Sequence, residues 1–272
     1  MGESGELLAY CAQETKLPND PTSRAAHLKI AKSLKIVACF SYGPPRSGGT
    51  CVLIPECAIT VRPDETFTQA RNRVATSANS ALKGGFASLT TYIGGYKIKI
   101  ASIYAPCASA PRIQFFGKLA HLVTKKTILC GDFNCVLDAI ADLKRSSIHP
   151  YANAGATELA NIITEKELFD THRQSLGDER EFTFATATGA SYCHSRIDRI
   201  YAPEAIHGLQ WDTELDHRTS NHTHGHVAVK ATFGEPEGTR GGDISSINEA
   251  VFDDPRVKGK IKKIWGDVYT SN

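Results

Sequence analysis

Apolar residues recur in two distinct rhythms along this 272-residue chain. Tyr96 to Tyr104 (YKIKIASIY) alternates, which predicts a strand, and Lys126 to Cys130 (KTILC) is a short apolar run that stops at Gly131. Gly49 to Pro55 (GTCVLIP), after the loop Ser41 to Gly48 (SYGPPRSG), and Val227 to Phe233 (VAVKATF) read as two more strands. The three-and-four spacing of helices appears at Ser23 to Ser33, Pro111 to Val123 and Ala154 to Glu167. Strands and helices interleave without a strict βαβ rhythm. That argues for a mixed-sheet α/β sandwich rather than a doubly wound parallel sheet.

Beyond Phe233 the pattern stops. Gly234 to Gly242 (GEPEGTRGG) reads as a linker, so the expected organisation is a folded domain over 1–233 and a tail over 234–272. Within that tail Lys258, Lys260, Lys262 and Lys263 precede Ile264 and Trp265 in an amphipathic segment. The formal charge, +2, is too small to announce a nucleic-acid binder, since phosphate affinity depends on clustered Lys and Arg rather than on the total. The eight cysteines are scattered with no Cys-x-x-Cys pair, which excludes a zinc ribbon or a thioredoxin-like motif and suits a reducing, intracellular compartment. No apolar run reaches the length of a membrane span, and no targeting signal is visible at the N-terminus.

Candidate chemistry lies where the strands end. In Gly131-Asp132-Phe133-Asn134, extended backbone would send Asp132 and Asn134 to one side and Phe133 to the other, presenting a carboxylate beside an amide. Such a pair suits hydrolysis of a phosphodiester, where water must be activated and developing charge neutralised; an Asx turn closing a strand is the competing reading. Glu14 follows an apolar stretch and could bind a hard cation, or be surface. Tyr104 ends its strand ahead of Pro106, with its hydroxyl available to a phosphate or simply packed. In Ser195 to Tyr201 (SRIDRIY), Arg196, Asp198 and Ile200 are expected on one strand face; an Arg–Asp surface pair is the plain alternative. His217, His222, His224 and His226 crowd one stretch, and His226 directly precedes the closing strand. Imidazole suits zinc or nickel, but a solvated polar loop is the stronger reading for that stretch.

Taken in order, Gln13-Glu14-Thr15, Tyr104-Ala105-Pro106, Gly131 to Asn134, Ser195 to Ile200 and the terminal His226 resemble the motifs of the endonuclease/exonuclease/phosphatase superfamily. The wording is most similar to the endonuclease domain of non-LTR retrotransposon polyproteins, including Gly48 and Gly49, Arg112 and Phe116, and Asp138 or Asp142. The likeness spans roughly Leu8 to Phe233. It implies a four-layered α/β sandwich of two packed mixed β-sheets flanked by helices. It also implies a Mg²⁺-dependent DNA-nicking endonuclease (Mn²⁺ as a substitute), with DNA as partner, no membrane and no small-molecule cofactor, and a nuclear site of action on genomic DNA. By the same resemblance Glu14 and Asp132 ligate the metal, Asp132 positions or activates water, Asn134 holds water and phosphate, and Tyr104 contacts phosphate. His226 stabilises the transition state, with Asp198 fixing its tautomer.

Two departures qualify that picture. Only a dozen residues precede Gln13, so the Asn-bearing first strand and helix that open such domains are expected to be lacking. At the closing motif Gly225 stands where an acidic neighbour of His226 is usual. Two alternatives to an active nuclease follow: a catalytically impaired retroelement-derived domain that only binds nucleic acid, and a small-molecule phosphatase of the same fold.

Overall fold

A computed structural model of the chain describes residues 8–44, 48–93, 95–146, 153–188, 191–206, 210–218 and 226–234. Of the stretches 187–188, 210–212, 214–218 and 226–234 only the backbone is described. The expected tail lies outside these residues beyond Gly234, as do Gly225, His222 and His224.

In chain order the elements are β1 (Tyr10–Gln13), α1 (Pro21–Ser33), β2 (Ile36–Ser41), β3 (Thr50–Pro55), α2 (Phe67–Thr76), β4 (Asn79–Ala81), β5 (Phe86–Ile93), β6 (Tyr96–Tyr104) and α3 (Ser109–Leu119). There follow β7 (Thr127–Asp132), β8 (Leu143–Arg145), α4 (Ala156–Glu165), β9 (Leu168–Asp170) and α5 (Thr171–Leu176). The last are β10 (Phe184–Thr188), β11 (Ser191–Ser195), β12 (Asp198–Pro203), β13 (Gln210–Arg218) and β14 (His226–Gly234). The alternating Tyr96 to Tyr104 forms a strand with those bounds, and the three expected helices form within two residues of their expected starts. None of the described helices is long and apolar enough to cross a membrane.

This is a mixed α/β fold with several sheets flanked by helices. A six-stranded sheet ordered β4-β5-β6-β7-β12-β9 faces a three-stranded one ordered β1-β3-β2. Between them lies an apolar layer that includes Val52, Ile54, Leu89, Ile98 and Ile100. A second layer, with Phe86, Ile103, Phe116, Leu119, Leu129, Leu159 and Tyr201, packs the other face of the large sheet against α3 and α4. The architecture departs from the expected pair of mixed sheets in two respects. Among the described residues only the six-stranded sheet is mixed, through its parallel β6–β7 pair, and the ladders β10-β11-β8 and β13-β14 are separate. Among the described residues β1 pairs on one side only, with β3.

Two constraints hold β7 in place. A Cβ on Gly131, whose φ is +141°, would fall 2.0 Å from the Ile103 carbonyl oxygen, so β6 and β7 approach as closely as they do only because this position lacks a side chain. Behind β12 sits a buried charged cluster, where the alternative reading of the sequence had an Arg–Asp surface pair. Arg196, 2% exposed, donates from Nε to Asp142 Oδ1 at 2.8 Å and from Nη2 to Asp170 Oδ2 at 2.7 Å. Arg173 also pairs with Asp142, and Arg199 Nη2 lies 3.6 Å from its Oδ2. Arg196 lies just ahead of β12, so it shares no strand face with Asp198; it turns inward because Asp142 and Asp170 supply the acceptors a buried guanidinium needs.

Gly131→Ala is expected to lower stability by at least ~2 kcal/mol, read from the urea midpoint; a change under ~0.5 kcal/mol would mean that β6 and β7 have room to part. The Asp142 cluster makes a second prediction. Burial alone would raise the Asp142 carboxyl, but Arg196, Arg199 and Arg173 outweigh it and hold the group below its ordinary value. Because the folded value is the depressed one, this stabilisation is complete above the unfolded carboxyl's ~3.9 and is lost as pH falls through the lower folded value. Asp142→Asn is therefore expected to cost ~3–5 kcal/mol at neutral pH, the difference from wild type shrinking below about pH 4. A gap independent of pH would contradict the ion-pair account.

Candidate active site

Sheet register assembles the site. In the parallel β6–β7 ladder Tyr104 stands opposite Asp132, and in the antiparallel β7–β12 ladder Asp198 stands opposite Asp132. Residues paired across adjacent strands point to one face, so three side chains from three strands share a row. The row is anchored at its ends: Ala105 N–H donates to the Asp132 carbonyl at 2.9 Å, and Phe133 N–H to the Ile197 carbonyl at 2.9 Å. It faces the three-stranded sheet, which supplies Glu14 from the residue after β1. Tyr104 Oη donates to Glu14 Oε1 at 2.5 Å, closing the gap between the sheets.

Glu14 is positioned by its backbone. It has a left-handed φ of 49°, and the chain beyond it is tied down where Thr15 N–H and Lys16 N–H donate to the Gly49 and Gly48 carbonyls at 3.2 and 2.9 Å. A Cβ on Gly49 (φ +88°) would lie 2.5 Å from Thr15 Oγ1, and one on Gly48 would touch the Tyr104 ring at 3.8 Å. Gly49 thus lets the approach to β3 run close under Glu14. Further back, Gln13 Nε2 donates to Ser102 Oγ at 2.8 Å, a second polar tie between the sheets.

Asp132 and Asn134 do converge, but not by strand alternation. The strand ends at Asp132, and Asn134 takes a left-handed φ of 48°. The Asn134 N–H donates to Asp132 Oδ1 at 2.8 Å, while its Nδ2 donates to Asp132 Oδ2 at 3.2 Å and to the Ala105 carbonyl at 2.8 Å. This is the Asx turn that had stood as the competing reading, and the turn itself brings the amide onto the carboxylate. Phe133 between them goes to the core, edge-on to Tyr201 with centroids 5.2 Å apart. At the start of β12, the N–H groups of Ile197 and Asp198 donate to Thr183 Oγ1 at 3.0 and 3.1 Å. His226 opens β14, a strand that lies against β12, but its side chain is outside the described part, as are those of Asp216 and His217.

The row is crowded with negative charge. Burial pushes the Asp132 carboxyl, 8% exposed, well above its ordinary value, and the charges of Asp198 and Glu14 push it further. Against them act the Asn134 N–H and Arg199. Burial and then Glu14 raise the Tyr104 hydroxyl, keeping it a neutral donor, and Lys16 Nζ lies 3.3 Å from Glu14 Oε2. A hard divalent cation would reverse the repulsion, so the donor set fits one. Among the described residues no three His, Cys, Asp or Glu side chains stand close enough to cage an ion. Mg²⁺ is ordinarily held by one or two carboxylates with waters completing its octahedron, which is what Glu14 and Asp132 offer.

Arg199 and the Asp142 cluster escaped the sequence reading. Arg199 is 1% exposed, lies 6.0 Å from the centre of the Phe133 ring and donates from Nη2 to the Arg196 carbonyl at 2.6 Å. Two arginines bracketing an aspartate, ahead of a run as apolar as Ile200 to Pro203, were the available signal.

Relief of this repulsion is measurable without turnover. In chelator, Asp132→Asn is expected to raise Tm, each kcal/mol of relief being worth ~2–4 °C at this size. Wild type is expected to gain Tm on adding Mg²⁺, and the variant to gain less. A lower Tm for the variant in chelator would show that the carboxylates do not repel as described.

No family model matches the chain. A stretch of 130 residues, 46% of the chain, is 28% identical to part of the Transposon TX1 uncharacterized 149 kDa protein of Xenopus laevis, and covers only 10% of that protein's length. Among solved structures, the 3′ phosphatase NExo from Neisseria, bound to a product DNA hairpin, superposes with a TM-score of 0.56 at 17% identity, over 83% of this chain and 88% of that one. An AP endonuclease from Archaeoglobus fulgidus gives 0.54 at 18% identity, over 83% and 88% of the two chains. The AP endonuclease LMAP from Leishmania major gives 0.55 at 12%, over 80% and 76%. The chain therefore shares the fold of these solved DNA-processing enzymes.

Proposed function

We propose that the protein is a Mg²⁺-dependent phosphodiesterase that nicks DNA, of the retrotransposon endonuclease type. The observation that carries the reading is the row of Tyr104, Asp132 and Asp198 across three strands, met by Glu14 from the facing sheet. Support for the retroelement part comes from the likeness to a transposon protein over nearly half of the chain. That the NExo phosphatase shares the fold and is seen with product DNA supports DNA as substrate.

Glu14 and Asp132 would hold the ion, which supplies charge neutralisation at the phosphate oxygens and leaving oxygen. The remaining roles belong to the chain. Asn134, whose side-chain amide donates to Asp132 and the Ala105 carbonyl, fixes the Asp132 carboxylate and contacts the water and phosphate beside it. Tyr104 stays protonated and donates a hydrogen bond, switching from Glu14 to a phosphate oxygen when substrate arrives. His226 opens the strand beside the one that Asp198 opens, and serves as the donor to the developing phosphoryl charge, with Asp198 setting its tautomer. The retroelement reading also makes the nucleus its place of action.

Supercoiled plasmid tests this. Wild type with Mg²⁺ is expected to yield nicked circles, chelator to abolish them, and Asp132→Ala or His226→Ala to slow nicking by ~100-fold or more. If wild type and Asp132→Ala leave plasmid equally intact, the nuclease reading fails; retained DNA binding would then point to a domain that binds without cutting.

A further inference from the structure

One concave surface lies outside the row of catalytic candidates. Between α1 and the start of β4, over β2, is a groove of about 220 Å³ lined by Arg24, Leu28, Phe40, Tyr42, Ala78 and Ser80 among others. Its walls are chemically mixed in a specific way. The Arg24 guanidinium sits 5.2 Å from the centre of the Tyr42 ring, and Asn19 Oδ1 holds it by accepting from Nε at 2.8 Å. His27, Phe40 and Tyr42 form an aromatic group, with centroid separations of 5.8 to 6.0 Å, and a 3.2 Å contact links His27 Nδ1 to Tyr42 Oη. Leu28 is 54% exposed at the rim, an apolar side chain left facing solvent.

The helix beside the groove is basic. Pro21 to Ser33 carries Arg24, Lys29 and Lys32 and not one Asp or Glu, in a chain whose total charge is only +2. Arg24, Leu28 and Lys32 follow one another at i, i+4 and i+8, so cation, apolar rim and cation lie along one helix face. One wall of the groove also lies near the candidate active site. Tyr42 leads into Gly43, and a Cβ on Gly48 would lie 3.9 Å from Gly43 Cα and 3.8 Å from the Tyr104 ring, so little more than one glycine separates this wall from Tyr104.

We propose that this groove takes the base of an unpaired nucleotide flanking the cleaved strand, stacking it against Phe40 and Tyr42 while Arg24 and Lys32 contact the adjoining phosphates. An aromatic platform edged by cations is how proteins hold single-stranded nucleic acid. The volume, below the ~300–1,000 Å³ of sites for drug-sized ligands, matches one planar ring system. A duplex keeps its bases stacked on one another and could not fill the groove. The inference rests on the nucleic-acid reading above for the class of its ligand, but not on cleavage.

The test is therefore binding in chelator, by fluorescence anisotropy with the full chain. Blunt duplex is compared with the same duplex carrying a short 5′ or 3′ overhang, and with an overhang whose sugars lack bases. Wild type is expected to prefer one tailed duplex about tenfold over the blunt one, and to lose most of that preference when the tail is abasic. Leu28→Gln and Arg24→Gln, both at exposed positions, are expected to abolish the preference, so that each variant binds tailed and blunt duplex equally. Equal binding of tailed and blunt duplex by wild type overturns the proposal. So does undiminished preference for an abasic tail, or in either variant. Plasmid nicking without tail preference would sink the groove and spare the nuclease; tail preference without nicking would do the reverse.

Discussion

The parallel ladder between β6 and β7 brings Tyr104 level with Asp132, and every other element of the candidate site is arranged around that pairing. Its closeness depends on Gly131, whose missing side chain admits the Ile103 carbonyl. Once Asp132 is fixed, the antiparallel strand beyond sets Asp198 opposite it, and the Asx turn folds Asn134 back over it. The three-stranded sheet then needs to contribute only one side chain, Glu14, which meets the row through Tyr104.

What is unfavourable in this arrangement is also what makes it chemically useful. Asp132 is buried beside Asp198 in the row and faced by Glu14 from the other sheet, and burial together with these two charges disfavours its ionised form. The charged cluster of Asp142, Asp170, Arg173 and Arg196 is of the opposite kind, with each carboxylate paired and the Arg196 guanidinium bonded on two sides. It braces the approach to β12, the strand on which Asp198 stands. The two clusters meet at the start of one strand, where Arg199 acts on both Asp142 and Asp132.

Much of this was legible in the sequence, and the misses share a cause. Strand β6 could be bounded to the residue because its alternation is a local property, and the five motifs lie at strand or loop ends as their order suggested. The partnership of Asp132 and Asn134 was foreseen for the wrong reason: alternation predicts direction in an extended chain, whereas Asn134 is left-handed, and the local hydrogen bond decides. Arg196 was expected on one strand face with Asp198, with a surface pair as the alternative; only its contacts with Asp142 and Asp170, 54 and 26 residues distant, could show that it is buried ahead of the strand. Helix α2, with just Ala70 and Val74 buried, gives too thin an apolar stripe to stand out. The groove beside α1 was equally hidden, since its walls come from segments that look unremarkable apart.

Glu14 belongs to one sheet and Asp132 to the other, so the distance between the two proposed ligands is set by the thickness of the apolar layer holding the sheets together. The site acts as a caliper on that layer. Changes among residues such as Val52, Leu89 or Ile100, all buried in that layer, would alter the jaw opening and, if the two carboxylates share an ion as proposed, the size of ion that fits. On the proposed metal role of Glu14 and Asp132, core packing bears on the choice of ion as well as on stability.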